Sequence, residues 1–307
     1  MKMKKNVIVF GDNCVDIKIR IKEDNFIFSP DSNHHMKRLN IKFGGTGINS
    51  SISLSKFGTN TYYFGSLSRD DFGKKIYREL KKYKVNTDLI NFSNKKTAVV
   101  IIILNKNGER VSFANLKNAS YLDIDFDQIK KVDLNEIDAI YISGGILTEK
   151  NFNERFFEFI DKYFSDKKIF FDLNYRIGKG IKYFKEYANK FLQKSFLIFT
   201  NEEEFKIIGK KNVNNLINDG KILIIKMGEK GVKLLKKDEE IYIEGHKVKS
   251  VDTVGAGDVF NALFIHKYLQ SDDLKASLEF ANYFAAISTT KFGFYIPDIY
   301  KKKIRRR

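Results

Sequence analysis

The chain predicts an α/β protein: a mainly parallel sheet flanked by helices in a Rossmann-like three-layer sandwich, with a small β-sheet lobe attached. Three observations predict it. Short apolar runs alternate with amphipathic stretches along most of the 307 residues, the rhythm of βα units. The first run, Asn6 to Phe10, is continuously apolar and stops at Gly11, as a central strand buried on both faces does. One segment instead alternates apolar with polar residues and another pair of runs flanks a turn, which marks strands outside the main sheet.

In chain order, Asp16 to Ile21 alternates, and Glu23 to Asn40 is polar and irregular around Pro30. Thr97 to Leu104 and Glu109 to Ala114 flank the turn Asn105-Lys106-Asn107-Gly108 and read as a hairpin. Together they place a β lobe at about 16–42 and 97–115. The βα units are Thr61 to Leu67 with Asp70 to Tyr83, and Ala139 to Ser143 with Glu149 to Phe164. Strands follow at Lys168 to Leu173, Phe196 to Thr200 and Ile222 to Met227, each trailed by helix or turn signals. Helices at Ala256 to Leu269 and Leu274 to Thr290 close the pattern. No repeat, heptad or low-complexity linker divides it, so 1–307 reads as one domain.

Hydrophobic residues at 43% and aromatics at 14% supply a core and exclude a disordered chain. The formal charge of +17 is spread along the sequence, and only Lys301 to Arg307 concentrates it, with six basic residues of seven. A dispersed excess speaks for compositional drift rather than a nucleic-acid patch, and a solvated end accounts for the tail. A lone cysteine, Cys14, excludes an internal disulfide and reads as small buried packing. No apolar segment has the length of a signal peptide or membrane span, so a cytoplasmic protein with neither membrane nor nucleic-acid partner is expected.

The chemistry concentrates in Asp252-Thr253-Val254-Gly255-Ala256-Gly257-Asp258, which runs straight into a helix. Small residues before a helix let backbone N–H groups approach an anion, and the helix start adds positive potential. Asp258, on the first turn, stands where a transferring phosphoryl group meets an incoming hydroxyl. A bare Gly-x-Gly-Asp would more often be an aspartate stabilising a helix start. The whole string, however, resembles the D-T-x-G-A-G-D signature of the ribokinase, or pfkB, family of carbohydrate kinases. Gly44-Gly45-Thr46-Gly47-Ile48-Asn49, leading into the helical run Ser50 to Phe57, resembles that family's di-glycine segment. The resemblance spans Val7 to about Pro297.

The resemblance implies a ribokinase-like fold with a β-sheet lid, ATP and Mg2+ as cofactors, and phosphorylation of a primary hydroxyl of a sugar, ketose or sugar acid. Asp258 would be the general base, and the N–H groups of Gly255, Ala256 and Gly257 the anion hole. Asp16, Gly44, Gly45 and Asn49 would bind the sugar; carboxylates and amides pair readily with adjacent hydroxyls. Lys226, Gly228, Gly231 and Asn282 would bind ATP. Asn201 and Glu204, in Thr200-Asn201-Glu202-Glu203-Glu204, would organise magnesium through water. Asp252, with the loop around Gly293, would face a monovalent cation such as K+. A homodimer through the lid belongs to the same picture.

Several of these residues have plainer readings. Asp16 suits a surface strand, Asn201 and Glu204 a helix start with an acidic first turn, Lys226 to Gly231 a hairpin turn, and Asn282 a solvent-facing helix position. Gly11-Asp12-Asn13 departs from the commoner ribokinase pattern and resembles fructosamine-type kinases, while Asp172-Leu173-Asn174-Tyr175-Arg176 is similar to the D-x-N-x-R of fructokinases and ketodeoxygluconate kinases. Adjacent His34 and His35 are poorly spaced for one metal and belong in the lid loop. A nucleoside kinase on the same scaffold, with Phe26, Phe28 and Phe113 as an aromatic pocket, and a non-catalytic sugar-sensing protein are the alternatives.

Overall fold

The computed structural model describes residues 4–26, 29–30, 33–107, 109–175 and 182–298. Its main sheet has eight strands. In chain order these are β1 (Asn6–Phe10), β4 (Asn60–Tyr63), β9 (Ala139–Ser143), β10 (Lys168–Asp172), β11 (Leu197–Asn201), β12 (Ile222–Lys226), β13 (Gly231–Lys236) and β14 (Glu239–Glu244). The spatial order is β14-β13-β12-β11-β10-β9-β1-β4. Every pairing from β4 to β12 is parallel, and β13 pairs antiparallel with both β12 and β14.

Strand alternation sorts the core into two halves. Val7 and Val9 of β1 face one side with Ile48 and Ile52 of α1 (Thr46–Lys56) and Phe260 and Phe264 of a long helix, α7 (Ala256–Ser271). Ile8 and Phe10 face the other side, where Phe10 meets Phe156, Phe159 and Phe164 of α3 (Lys150–Phe164) within 5.4 to 6.1 Å. Each such buried side chain contributes about 1.5–3 kcal/mol. α2 (Asp71–Lys82) and α8 (Leu274–Ser288) join the first side; α4 (Phe184–Lys194), α5 (Glu202–Ile208) and α6 (Lys210–Asn218) join the second. Helices on both faces of a parallel sheet make the three-layer sandwich that the βα rhythm predicts.

A separate four-stranded sheet forms the lid. Its order is β3-β2-β7-β8, from β2 (Cys14–Ile21), β3 (Met36–Gly44), β7 (Ala98–Leu104) and β8 (Arg110–Asn115). β7 and β8 pair as the predicted hairpin, and His34 lies in the loop before β3, 3.7 Å from Glu23.

Four details differ from the sequence expectation. β1 is internal but next to the edge, because β4 alone lies beyond it. The polar stretch ending at Asn40 already contains the start of β3, whose exposed Met36, Leu39 and Ile41 lie on a sheet largely open to solvent and so lack the usual burial pattern. The run Thr61 to Leu67 is two strands: Phe64 makes a last bond to Val9 O at 2.9 Å and turns its ring into the opposite core half, and β5 (Gly65–Ser68) then pairs with β6 (Ile90–Ser93). The β13–β14 hairpin extends the sheet past the last predicted strand. Phe28, Arg176 and the tail from Lys301 lie outside the described residues. Among the described residues no helix is long and apolar enough to cross a membrane.

The parallel strands all end on one edge, and so do Asp12 after β1, Ser143, Asp172, Asn201 and Lys226. Ligands of open α/β sheets bind outside the carboxyl ends of the strands.

Candidate active site

The acceptor side is built where β1 meets α1. A Cβ on Gly11 would fall 2.6 Å from the Cα of Gly47, and one on Gly47 2.7 Å from the Gly11 backbone, so glycine at both positions lets α1 begin against the strand end. Gly47 N–H donates to Asp12 O at 3.1 Å. The Asp12 carboxyl accepts hydrogen bonds from Thr46 while its Oδ1 is buried without a partner. Burial pushes this carboxyl up to about 6, against the hydrogen bonds that hold it down. Asn13 is fixed by donating to Tyr63 Oη and Ser66 O, both at 2.9 Å. Asn174 Nδ2 ties the end of β10 to Thr46 and Ser143 at 3.1 and 3.2 Å.

Asp16 lies on β2 with Cys14 Sγ 3.8 Å from its Oδ1. The buried thiol is pushed up first by desolvation and then by the charges of Asp16, Asp12 and Asp258, so three carboxylates gather around one point. Gly44 ends β3 and Gly45 caps α1; a Cβ on Gly44 would press to 3.0 Å from Asn49 Oδ1. Asn49 Nδ2 donates to Asp258 Oδ2 at 2.7 Å, while its buried Oδ1 has no partner.

On the other side the glycine turn opens α7. Gly255 takes φ +78°, and a Cβ there would meet the Phe294 ring at 2.5 Å. Of the three amides expected to form the anion hole, Ala256 N–H donates to Thr253 O at 3.2 Å and closes the turn. Ala256 N–H thus shapes the loop, while among the described residues no such turn or loop bond engages the amides of Gly255 and Gly257. Lys226 Nζ sits 3.6 Å from where a Gly257 Cβ would stand, bonded to Asp172 Oδ1 at 3.1 Å and Asn261 Oδ1 at 3.0 Å. Asn261 Nδ2 reaches Tyr141 Oη, which returns to Asp172 Oδ2, closing a ring of four residues. Desolvation pushes Asp258 up to about 8; Asn49 opposes it, the charges of Asp172 and Asp12 add to it, and Lys226 lowers it.

The remaining candidates separate. Asn201 and Glu204 form a capping box on α5: Asn201 Oδ1 accepts Glu204 N–H, and Glu204 returns Oε2 to Asn201 N–H, each at 2.9 Å. Glu204 Oε1 also accepts Tyr175 N–H at 2.9 Å, and the residue is 4% exposed. Burial, then the charge of Asp172, pushes it up to about 7. The side-chain oxygens of Asn201 and Glu204, each with a lone pair left beside the backbone N–H it accepts, are a donor set that suits the waters of hydrated magnesium. Gly228 and Gly231 form the β12–β13 hairpin turn. Asn282 is 7% exposed and donates to Glu244 O at 2.8 Å, so it fastens α8 to the end of β14 rather than facing solvent.

Asp252 does not fit a free monovalent cation. Its Oδ2 takes Lys18 Nζ and Gly293 N–H, both at 2.9 Å, and its Oδ1 takes Val254 N–H at 3.0 Å. The charge expected to attract potassium is already neutralised by an ammonium.

Sequence reasoning missed Lys18, Tyr141 and Asn261. Lys18 is two residues from Asp16 on an alternating strand, which puts both on one face, and Asn261 is three residues from Asp258 on a helix. Tyr141 carried no signal inside an apolar run. Two surface cavities, of about 430 and 310 Å3, are lined by other residues, among them Lys95 and Lys117 in one and Thr59 and His266 in the other.

A three-layer α/β sandwich whose glycine turn delivers a carboxylate to the mouth of the sheet is the architecture of a small-molecule kinase. The profile of the pfkB family carbohydrate kinases matches residues 4–299, and the chain belongs to that family and is a carbohydrate kinase. It is 25% identical over 253 residues to an uncharacterized sugar kinase of Archaeoglobus fulgidus, covering 79% of this chain and 96% of the relative. It is 28% identical over 279 residues to the 5-dehydro-2-deoxygluconokinase of Mesomycoplasma hyopneumoniae, covering 84% and 82%. Among solved structures, ribokinase of Thermotoga maritima superposes with a TM-score of 0.78 at 23% identity, over 96% of this chain and 97% of that one. A sugar kinase of Pyrococcus horikoshii in complex with ATP gives 0.77 at 22% identity, over 94% and 93%.

Proposed function

We propose that the protein transfers the γ-phosphate of ATP to a primary hydroxyl of a sugar, ketose or sugar acid, with Asp258 as general base. One observation carries this reading: the Asp258 carboxylate is gripped by Asn49 from the acceptor side while standing on the same helix turn as the amides of Gly255 and Gly257.

In this mechanism Asp16, Asp12 and Asn49 hold the sugar hydroxyls, and the reacting hydroxyl gives its proton to Asp258 as its oxygen bonds to the γ-phosphorus. The bond from that phosphorus to the bridging oxygen breaks, and ADP leaves. A loose phosphoryl transition state asks mainly for positioning and charge stabilisation. Gly255 and Gly257 N–H and the Lys226 ammonium offer that charge. Magnesium bound with ATP would neutralise the phosphates, its waters held by Asn201 and Glu204. Gly228, Gly231 and Asn282 border the nucleotide in this reading, and the exposed Met36, Leu39, Ile41 and Phe113 of the lid form a homodimer face.

The relatives named 5-dehydro-2-deoxygluconokinase, ribokinase and deoxyribokinase support a sugar or sugar acid as acceptor. The test is ATP turnover with magnesium over ribose, deoxyribose, fructose, keto-deoxy sugar acids, fructosamines and nucleosides. Product analysis shows which hydroxyl carries phosphate; turnover confined to nucleosides, or none at all, would overturn the assignment.

A further inference from the structure

The buried pair between Lys18 of the lid and Asp252 of the core has no role in the mechanism above. Lys18 lies on β2 with its side chain 6% exposed; Asp252, 234 residues later, is 11% exposed, and the two meet at 2.9 Å. Asp252 opens the glycine turn. Its carboxylate takes Val254 N–H, next to Gly255, and Gly293 N–H, while its own N–H is bonded to Thr289 O at the end of α8. The turn that carries the amides of Gly255 and Gly257 is thus folded around one carboxylate.

That carboxylate is disfavoured by burial, but Lys18 and the two N–H groups outweigh this and hold its pKa below the usual aspartate range. Phe292 completes the enclosure, its ring 5.4 Å from Lys18 Nζ and 4.2 Å from the Arg38 guanidinium. An ammonium is a compact monovalent charge with three donors, the same charge as an alkali ion with a covalent leash.

We propose that Lys18 is a built-in cation: a positioning residue that fixes the Asp252 turn, and with it the amides of Gly255 and Gly257, so that turnover needs no free monovalent cation. Since Asp16 projects from the same face of β2 two residues earlier, the leash also ties the sugar-reading strand to the phosphoryl site. The inference rests on the kinase reading of that turn.

The experiment compares wild type, Lys18→Ala and Lys18→Met in the chlorides of potassium, sodium, ammonium and tetramethylammonium at equal ionic strength. Wild-type turnover should differ by less than about twofold among the salts. Lys18→Ala should lose about a hundredfold in kcat, more than in KM for ATP, and regain about tenfold with potassium or ammonium but not tetramethylammonium. Lys18→Met, whose methyl fills the space, should not recover. Thermal unfolding reads the same site without turnover: potassium and ammonium should stabilise Lys18→Ala beyond sodium, and should not do so for wild type.

Strong potassium stimulation of wild type, wild-type kcat in Lys18→Ala, or loss of kcat without salt-specific recovery in a folded variant overturns the proposal. If Lys18→Ala does not fold, the neutral pair Lys18→Met with Asp252→Asn replaces it; a folded, slow enzyme supports the role and full turnover refutes it. If wild type phosphorylates nothing, the proposed function fails, while the unfolding data still decide the cation site.

Discussion

Asn49 Nδ2 donates to Asp258 Oδ2 at 2.7 Å, joining the first turns of two helices that lie 209 residues apart in the chain. The bond stabilises the ionised carboxylate and so pulls down a pKa that burial nevertheless leaves raised to about 8. If Asp258 is the base, kcat/KM of wild type should climb with pH through a midpoint near 8 and level off above it, because the free enzyme must lose that proton before it can accept another. Replacing Asn49 with Leu removes a side-chain hydrogen bond that holds the pKa down and should move the ascending limb to higher pH. A limb unmoved in Asn49→Leu would count against the assignment.

Asp258→Asn should lower kcat by a factor of about 10²–10⁴ while leaving ATP affinity largely intact. It should also raise the melting temperature. The folded state holds the Asp258 proton up to about 8, whereas an unfolded aspartate releases it near 4. Between these values folding takes up a proton, so stability falls as pH rises. The asparagine variant escapes that loss, and its advantage should grow across this window and then level off at several degrees. Melting curves of the two proteins that run parallel from acid to alkaline pH would contradict the buried, protonated aspartate.

Lys226 offers a separate test, because its ammonium bonds both Asp172 and Asn261 beside Gly257. Lys226→Met should destabilise the protein by roughly 3–5 kcal/mol, since it leaves Asp172 buried without its countercharge. Adding Asp172→Asn should restore most of the stability but not kcat, because the charge next to the anion hole is still missing. Chemical denaturation and single-turnover rates on the same two variants separate the effects; recovery of both together would make Lys226 a purely structural residue.

The sequence carried the fold further than the site. Continuous apolar runs bounded by turns locate β1, β9, β10, β11 and β12, because a strand buried on both faces has no polar positions to confuse the period. β3 escaped because its exposed Met36, Leu39 and Ile41 remove the one-sided burial that periodicity detects, and β4–β5 merged because the alternation of Tyr62, Tyr63 and Phe64 between the core halves runs to the end of β4 without a polar mark. In the site, Asp258 and Asn49 were legible from glycine-rich strings beside helix starts. Lys18 and Tyr141 were not: their roles come from partners 234 and 31 residues away, and nothing local distinguishes a lysine in an alternating strand or a tyrosine in a core strand. Asn201 and Glu204 carried two readings at once, since the N-x-x-E spacing expected to organise a cation is also that of a capping box.

Glu204→Gln probes that double reading. Glutamine keeps the shape but has one acceptor oxygen, so either Asn201 N–H or Tyr175 N–H loses its partner. The cost should be about 1 kcal/mol of stability. If Glu204 also holds the waters of magnesium, half-saturating magnesium should rise severalfold with the sugar KM unchanged. A loss of stability with an unaltered magnesium titration would leave Glu204 as a cap alone.

Asp16 sits on the lid strand, paired with Lys42 of β3 and Val100 of β7, so its carboxylate moves with the lid. As a reader of sugar hydroxyls it should affect the acceptor far more than the nucleotide: Asp16→Ala should raise the sugar KM by about a hundredfold, the weight of two charge-assisted hydrogen bonds, and the ATP KM by less than about threefold. Asp16→Asn keeps the size and one acceptor and should fall between. Closure of the lid over the sugar, if Asp16 reads it, would also exclude water, which otherwise competes with the sugar for the phosphoryl group. Backbone amides of β2 and β3 should therefore gain hydrogen-exchange protection when sugar binds in wild type and gain little in Asp16→Ala. Equal changes in both Michaelis constants, or protection that ignores the sugar, would remove Asp16 from the acceptor site.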